Sequence, residues 1–449
     1  MNINLSDQTV SGTEKYAAFS SEVYQEILSI ARTGEINKER VESFLNGAAA
    51  NALDTYVSRK TRSANGIYFS GHELSNYVAL RLSRRLKKGA TVADPACGAG
   101  DLLLACAMKF KAEKTFFQTV RAWEKKLLAS DLHASFIEAT KARLTLLAAK
   151  KFVSKFVFQE HMFGAPEKFN KIKTADFFSN VAWLSNVDCV VMNPPFITTD
   201  SPMNCSWAKG KIQLAGVFVD AVLSNAKKGQ EIVAILPDVL RSGTRYARWR
   251  EFVSANAQIK DIFVYGRFDQ KTDVDVFVLH LIKGRQKSTD PKTDWTKVSS
   301  ALPEKNLLKT ADRFFHVTVG AYVPFRAKEF GKKVSYLSVS GALPDIEAEA
   351  KQKCIFDGTL HKTPFVVVRR TSNPSDPRRI IPSLITGPHE VAVENHLIVF
   401  RPIDGTLNSC KKLMKLLIRP EVDEWVNKAI RCRHLTTTVL KTLPLVDWK

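Results

Sequence analysis

Asp94-Pro95-Ala96-Cys97-Gly98-Ala99-Gly100-Asp101 follows the short apolar run Ala90-Thr91-Val92-Ala93, and Asn193-Pro194-Pro195-Phe196 follows Cys189-Val190-Val191-Met192. Apolar runs of this length, without alternation and closed by turn residues, read as parallel strands buried on both faces. In the first string Gly98 and Gly100 let the main chain bend sharply and pass close to a ligand, with a helix expected from about Asp101. The spacing is not GxGxxG, which weakens a dinucleotide reading, and no Gly-Lys-Thr/Ser follows, which excludes a P-loop.

Working outward, strand-like and helix-like segments alternate from Gly66 to Lys283, the pattern of a wound α/β sheet. Strands are expected at Thr91–Ala93, Leu128–Ser130, Lys155–Gln159, Val187–Met192, Glu231–Leu236, Asp261–Tyr265 and Val274–Lys283. The last two form a hairpin, so the sheet ends with an antiparallel strand. Upstream, Ser21 can cap a helix through Val23, Ile27 and Ile30 that ends near Gly34. A second helix starts after Asn37 and runs through Val41, Phe44, Ala52 and Tyr56, and Ser58 to Asn65 is a polar connection. Gly284 to Lys297 reads as a linker. Beyond it, β-like runs (Phe315–Val323, Pro364–Arg370, His396–Arg401) mix with helices near Lys411–Leu417 and Val422–Ala429. The expected organisation is an N-terminal helical segment (1–62), a catalytic α/β domain (63–284) and a mixed α/β domain (285–449).

The 449 residues carry 66 Lys and Arg against 45 Asp and Glu, a formal net charge of +21 spread along the chain. A folded surface this basic suits a polyanion. The seven cysteines are odd in number and without CxxC spacing, which argues against a disulfide framework and a zinc site, so no metal is expected. Cys97, Cys106 and Cys189 lie in apolar context and read as small core residues. With no signal peptide or membrane span legible, a soluble protein of a reducing compartment is expected.

The residues also suggest chemistry. Asp131, at the end of the second strand, is placed to bind both hydroxyls of a ribose. Asp176 can accept a hydrogen bond from an adenine amino group with Phe177 on the ring face, or it can simply cap a helix above a core phenylalanine. Asn193 offers a carbonyl acceptor and the Pro-Pro turn fixes nearby main-chain carbonyls. Two such acceptors can hold the hydrogens of an amino group conjugated to a ring and aim its lone pair at an electrophilic methyl. Phe196 supplies a face for an extruded base. No general base is required before transfer, so catalysis would rest on positioning and electrostatics.

With both strings in place, the chain resembles the adenine-N6 DNA methyltransferases of restriction–modification systems that have the gamma motif order. The resemblance covers Asn65 to Lys283. It implies a Rossmann-like sheet that binds S-adenosylmethionine, with a C-terminal target-recognition domain. Gly66-Ile67-Tyr68-Phe69-Ser70-Gly71 resembles the segment that meets the methionine end of the cofactor, with Ser70 where Thr is usual and Gly71 where Pro is usual. Asp94, Ala96 and Gly98 match the cofactor turn, Asp131 the ribose acid, and Asp176 with Phe177 the adenine-contacting pair. Asn193, Pro194, Pro195 and Phe196 match the catalytic motif, with Phe in place of the commoner Tyr. Asn before Pro-Pro favours adenine over cytosine N4, and no Pro-Cys nucleophile supports cytosine C5 chemistry.

By the same resemblance, double-stranded DNA is the expected partner, with a separate cognate restriction endonuclease, a monomeric or dimeric state and a cytoplasmic location in a bacterium, archaeon or phage-infected cell. Lys362, Arg369, Arg370, Arg378 and Arg379 flank a Ser-Asn-Pro-Ser-Asp-Pro loop and are candidate DNA contacts, each also readable as a solvated loop residue. Arg241 and Arg245, with Arg248 and Arg250, could line a DNA cleft or form an ordinary helix surface. The alternatives left open are an RNA adenine methyltransferase, a protein-glutamine methyltransferase and a catalytically silent recognition subunit.

Overall fold

The computed structural model describes residues 12–152, 169–268, 274–284, 295, 309–326, 330–374, 376–387, 390–431 and 433–445. They form two compact units, one of residues 1–240 and 248–293, the other of residues 241–247 and 294–449.

The first unit begins with helices α1 (Ala17–Thr33), α2 (Lys38–Leu45), α3 (Ala48–Tyr56) and α4 (Arg59–Asn65). In α1 the stripe Phe19, Val23, Ile27 and Ile30 recurs at helical spacing and is buried, and Gly34 closes the helix in the left-handed region. Ser21 lies inside α1 and donates to the Ala17 carbonyl, so it is not the cap: the apolar stripe starts earlier than the sequence reading placed it. The single helix expected after Asn37 is two, broken at Asn46-Gly47, although Asn37 does cap the first through the Arg40 amide. The expected connection at 58–65 is α4, capped by Ser58 and closed by left-handed Gly66.

The central sheet is built from β1 (Val92–Asp94), β2 (Leu127–Asp131), β3 (Ile172–Thr174), β4 (Cys189–Met192), β7 (Glu231–Pro237), β8 (Ala257–Arg267) and β9 (Asp275–Lys283), while β5 (Thr198–Asp200) and β6 (Lys211–Gln213) make a small separate hairpin. The order is β3-β2-β1-β4-β7-β9-β8. The first five strands of this order run parallel. Strand β9 is antiparallel to both β7 and β8, so the expected hairpin is present, but β9 lies between them and the edge strand β8 runs with the first five: the antiparallel strand is the last in sequence and not the end of the sheet. Helices α5 (Gly71–Lys87), α6 (Asp101–Lys109), α7 (Phe116–Lys126), α8 (Ala134–Lys150), α9 (Leu214–Asn225), α10 (Asp238–Ser242) and α11 (Ala247–Asn256) alternate with the strands. The helix expected from about Asp101 is α6, and a second helix, α7, follows it before β2. The strand expected at Lys155–Gln159 lies outside the described residues. The side chains of α1 to α3 join those of α5, α6, α8 and the sheet in one continuous core, so the N-terminal helices are a layer of this unit.

The second unit holds a five-stranded sheet, β10 (Phe315–Val319), β18 (Leu397–Pro402), β15 (Phe365–Arg369), β16 (Pro382–Thr386) and β12 (Glu347–Glu349) in that spatial order. A four-stranded sheet has the order β13 (Gln352–Ile355), β11 (Lys333–Leu337), β17 (Glu390–Val393), β14 (His361–Lys362). Strand side chains alternate between faces. Val366, Val368, Ile398 and Phe400 pack beneath α12 (Leu407–Leu417), α13 (Pro420–Ala429) and α14 (Thr437–Lys441). Phe365, Val367, Leu397 and Val399 pack toward Val391 and Val393 of the smaller sheet.

Candidate active site

Strand β1 is paired with β2 on one side and β4 on the other, so the chain winds outward in both directions from it. The carboxyl ends of strands at such a switch point leave a crevice lined by the loops that follow them. There the loops after β1, β2, β3 and β4 bring together Ala96, Gly98, Asp131, Asp176, Phe177, Asn193 and Pro195 around a cavity of about 110 Å³. A smaller adjoining cavity of about 20 Å³ touches Ser70, Asp94, Asp101 and Asn193, and Tyr68, Phe69, Ala96 and Gly98 line both.

The Gly turn is held from several sides. The Gly98 amide donates to Asp131 Oδ2 (2.9 Å), and Thr140 Oγ1 donates to the Gly98 carbonyl (2.8 Å). Gly98 has φ +51°, and a Cβ there would lie 2.8 Å from Phe69 Cε1. The Phe69 ring therefore lies directly against the turn, which is why the position needs glycine. Asp131 also accepts from the His133 amide through Oδ1 (3.0 Å). One bond to each oxygen leaves acceptor capacity on both. Burial raises its carboxyl above the usual range, opposed by the His133 charge and by main-chain donors.

Asp94 is 1% exposed; Oδ1 accepts from the Ala96 amide, and Oδ2 is buried without a partner among the described residues. Burial pushes its carboxyl up to about 8, against the lowering effect of the Ala96 bond. Asp176 takes the capping role the sequence allowed and also borders the larger cavity. Its Oδ1 caps a short 3-10 turn by accepting from the Phe178 amide (3.0 Å), while the residue lines the larger cavity with Phe177, whose buried ring stacks on Phe218. Ser70 borders the smaller cavity at the start of α5 and makes no capping bond.

Asn193 Nδ2 donates to the Tyr68 carbonyl (3.1 Å). That partner is an acceptor only, so it fixes which end of the amide points away. Oδ1 is then a buried acceptor with no partner among the described residues. Phe196 is inclined 26° to Tyr68, with ring centroids 6.2 Å apart, and meets Phe268 edge-on. Gly66 makes this arrangement fit: at φ +65°, a Cβ would stand 2.7 Å from Phe196 N and 3.1 Å from Pro195 C.

One residue no motif signalled ties these parts together. Arg143, fully buried on α8, pairs with Asp101 (2.8 Å) and donates to the carbonyls of Ala99, Phe44 and Leu45. The other oxygen of Asp101 accepts from the Gly71 amide (2.9 Å). Sequence reasoning also missed His133, Phe136 and Phe218 as lining residues, and it included Tyr68 only as part of the Gly66–Gly71 segment without singling it out. Only His133, two places beyond a strand-end acid, carried a local hint.

The candidate DNA contacts divide. Arg241 is 1% exposed and donates to the carbonyls of Trp295 (3.1 Å) and Ala429 (3.0 Å). Arg379 is 0% exposed and donates to the Ile430 carbonyl, Asn427 and Ser372. Both are framework residues of the second unit, which corrects the expectation that they contact DNA. Arg378 forms a two-pronged pair with Asp345 (2.6 and 2.8 Å) that holds the Asp345 carboxyl below its ordinary value. Arg245 and Lys362 are exposed, and Arg369 and Arg370 are half-buried. Among the described residues no cluster of His, Cys, Asp and Glu could hold a metal ion, and no helix is long and apolar enough to cross a membrane.

Residues 125–270 match the family model described as Eco57I restriction-modification methylase, a stretch that includes Asp131, Asp176 and Asn193 to Phe196. This supports the resemblance to restriction–modification methyltransferases read from the motifs. No curated protein matches the chain in sequence. Among solved structures, the type IIG restriction endonuclease BpuSI is 13% identical over 98% of this chain and 71% of its own, with a TM-score of 0.47. The type IIL restriction-modification enzyme MmeI, solved in complex with DNA, is 11% identical over 94% and 70%, with a TM-score of 0.45. The M protein of the type I restriction enzyme EcoKI is 15% identical over 63% and 56%, with a TM-score of 0.37.

Proposed function

We propose that the protein is a DNA methyltransferase of a restriction–modification system that modifies the N6 amino group of an adenine turned out of the duplex. The observation that carries the reading is the buried Oδ1 of Asn193, without a partner among the described residues and held in direction by the Tyr68 carbonyl at the wall shared by the two cavities.

The residues fit S-adenosylmethionine. Asp131 has lone pairs left for ribose hydroxyls, Asp176 and Phe177 line the adenine end, and Asp94 with Ser70 borders the smaller cavity suited to the amino-acid end. When bound, the cofactor supplies an electrophilic methyl. The chain's own part is positional. Asn193 Oδ1 accepts one hydrogen of the target amine, and a main-chain carbonyl of the Pro194–Pro195 turn accepts the other. The nitrogen lone pair is thereby directed toward the cofactor cavity, and Phe196 offers a face to the extruded base. The amino nitrogen loses its proton after transfer, so no base need be poised beforehand. The second unit would recognise the target sequence, and its exposed cations suit phosphate contacts.

Asn193→Ala tests this. Methyl transfer to DNA should fall at least ~10²-fold, the scale for losing one preorganised hydrogen-bonding group in a closed site. Cofactor affinity, read by calorimetry, should stay within a few-fold of wild type. Full activity of the variant would refute the assignment, and sequencing the product DNA for N6-methyladenine identifies the base.

A further inference from the structure

We propose that Arg370, His396, Arg433 and His434 form a phosphate-binding site in the second unit, whose ligand is a backbone phosphate of the nucleic acid. The identity of that ligand rests on the function proposed above; the site itself does not.

Alternation along the strands puts the first two residues on one face. In β15 and β18, Val366, Val368, Ile398 and Phe400 point to the helical side. Continuing the same parity, Arg370 just past the end of β15 and His396 just before β18 emerge at the rim of that side, with Arg370 N donating to the His396 carbonyl (2.8 Å). Arg369, of opposite parity, faces the other way. The C-terminal segment crosses this rim. Thr371 bridges to His434, the Leu435 amide donates to the Arg370 carbonyl (2.7 Å), and the Ser372 amide donates to the Arg433 carbonyl (2.9 Å). Four cationic or protonatable side chains from three separate stretches are thus gathered at one place.

Their partners distinguish them from the framework arginines nearby. Arg379 spends its donors on buried acceptors, and Arg378 on Asp345. Among the described residues Arg370 makes only a long bond from Nη1 to the Asn395 carbonyl (3.4 Å), and its buried Nε has no acceptor. A guanidinium with a sheltered, unmet donor is suited to an anion that brings its own oxygens. His434 rests its Nδ1 against Thr371 Oγ1 (3.1 Å), and Arg433 Nε donates to Asn373 Oδ1 (2.8 Å). No carboxylate among the described residues pairs with Arg370, His396 or His434; Asp376, in the adjoining loop, accepts instead from the Asn373 amide.

Partial burial first, then the Arg370, His396 and Arg433 charges, lower the His434 imidazole below its ordinary value. An arriving phosphate reverses that repulsion, so binding takes up a proton. Affinity should therefore rise as the pH falls through the histidine range.

The test uses the full chain and a fluorescent duplex. Anisotropy is measured across salt concentration and from pH 8 to pH 6, in parallel with calorimetric titration by orthophosphate. For the Arg370→Ala/His434→Ala variant, losing one phosphate contact should flatten the log Kd against log salt slope by about 0.9. The rise in affinity toward pH 6 should shrink, and orthophosphate binding should vanish. Arg370→Lys should keep most of the salt slope with weaker binding, and it serves if the double variant does not fold. An unchanged slope with no orthophosphate binding overturns the site. Orthophosphate binding lost without a change in slope overturns the nucleic-acid ligand. Methyl transfer to DNA by the unsubstituted protein, scored separately, reports on the proposed function: transfer with an unchanged slope leaves that function standing and counts only against the phosphate site or its ligand, as the orthophosphate arm decides, and a changed slope without any methyl transfer sinks the function alone.

Discussion

Gly66 and Gly71 provide a matched pair for asking whether the close approach at Asn-Pro-Pro-Phe governs catalysis. Their φ angles are +65° and +67°, so alanine at either site meets the same left-handed strain, about 1–2 kcal/mol. They differ in their surroundings: a Cβ at Gly71 meets nothing within 4 Å, whereas at Gly66 it stands 2.7 Å from Phe196 N. The obstacle is main chain, so Pro195 and Phe196 must recede by about 0.7 Å to restore ordinary contact, at an added cost of about 1–3 kcal/mol. A displacement on this scale at the target clamp should lower kcat on the order of 10²-fold. Gly71→Ala should lose about 1–2 kcal/mol of stability and keep kcat within a few-fold, because its amide bond to Asp101 survives. The assay is single-turnover methyl transfer from labelled S-adenosylmethionine, with urea unfolding to score stability. Equal losses of kcat in the two variants would refute the claim that Gly66 sets the position of Phe196.

The remaining predictions concern buried charge. Arg143→Met strips Asp101 of its partner and leaves three carbonyls unmet, so it should cost about 3–5 kcal/mol in urea unfolding and raise KM for the cofactor more than it lowers kcat. A loss of stability with unchanged cofactor KM would remove Arg143 from the site. Asp94 is held protonated by burial up to about 8, above its unfolded value, so its contribution to stability is complete below the unfolded pKa and is lost as pH rises toward 8. Asp94→Asn should therefore gain stability relative to wild type as the pH is raised from 4 to 8, and a difference independent of pH would contradict this. Arg378→Ala should cost no more than about 1 kcal/mol, being a half-exposed pair, while its neighbour Arg379→Ala should cost several times that, because its partners stay buried and unmet; equal melting shifts would refute the distinction.

The strand-and-turn units around Asp94 and Asn193 were legible because buried parallel strands are short apolar runs and their ligand turns need glycine or proline, both local signals. Helix α4 was not, because Arg59 to Asn65 buries no side chain; it exists through its caps, Ser58 and Gly66. Strand β3 buries only Ile172 at the edge of the sheet, so it shows no pattern to read. The same limit explains the arginines. Arg241 and Arg379 look like surface charges in sequence, and their burial depends on carbonyls of Trp295, Ala429 and Ile430 that lie far along the chain. Phe218 reaches the cavity from α9 through tertiary packing alone.

Tyr68 and Phe69 deserve a last comparison. The carbonyl of the first orients Asn193, and the ring of the second lies on Gly98 of the cofactor turn. Consecutive α-carbons are about 3.8 Å apart, a distance no thermal fluctuation stretches. Asn193 and the Gly98 turn are thus tied to one another through a single peptide bond, a covalent ruler that, on the function proposed above, would be shared by two ligands. Inserting or deleting one residue between them should uncouple cofactor occupancy from target capture, even with every motif residue intact.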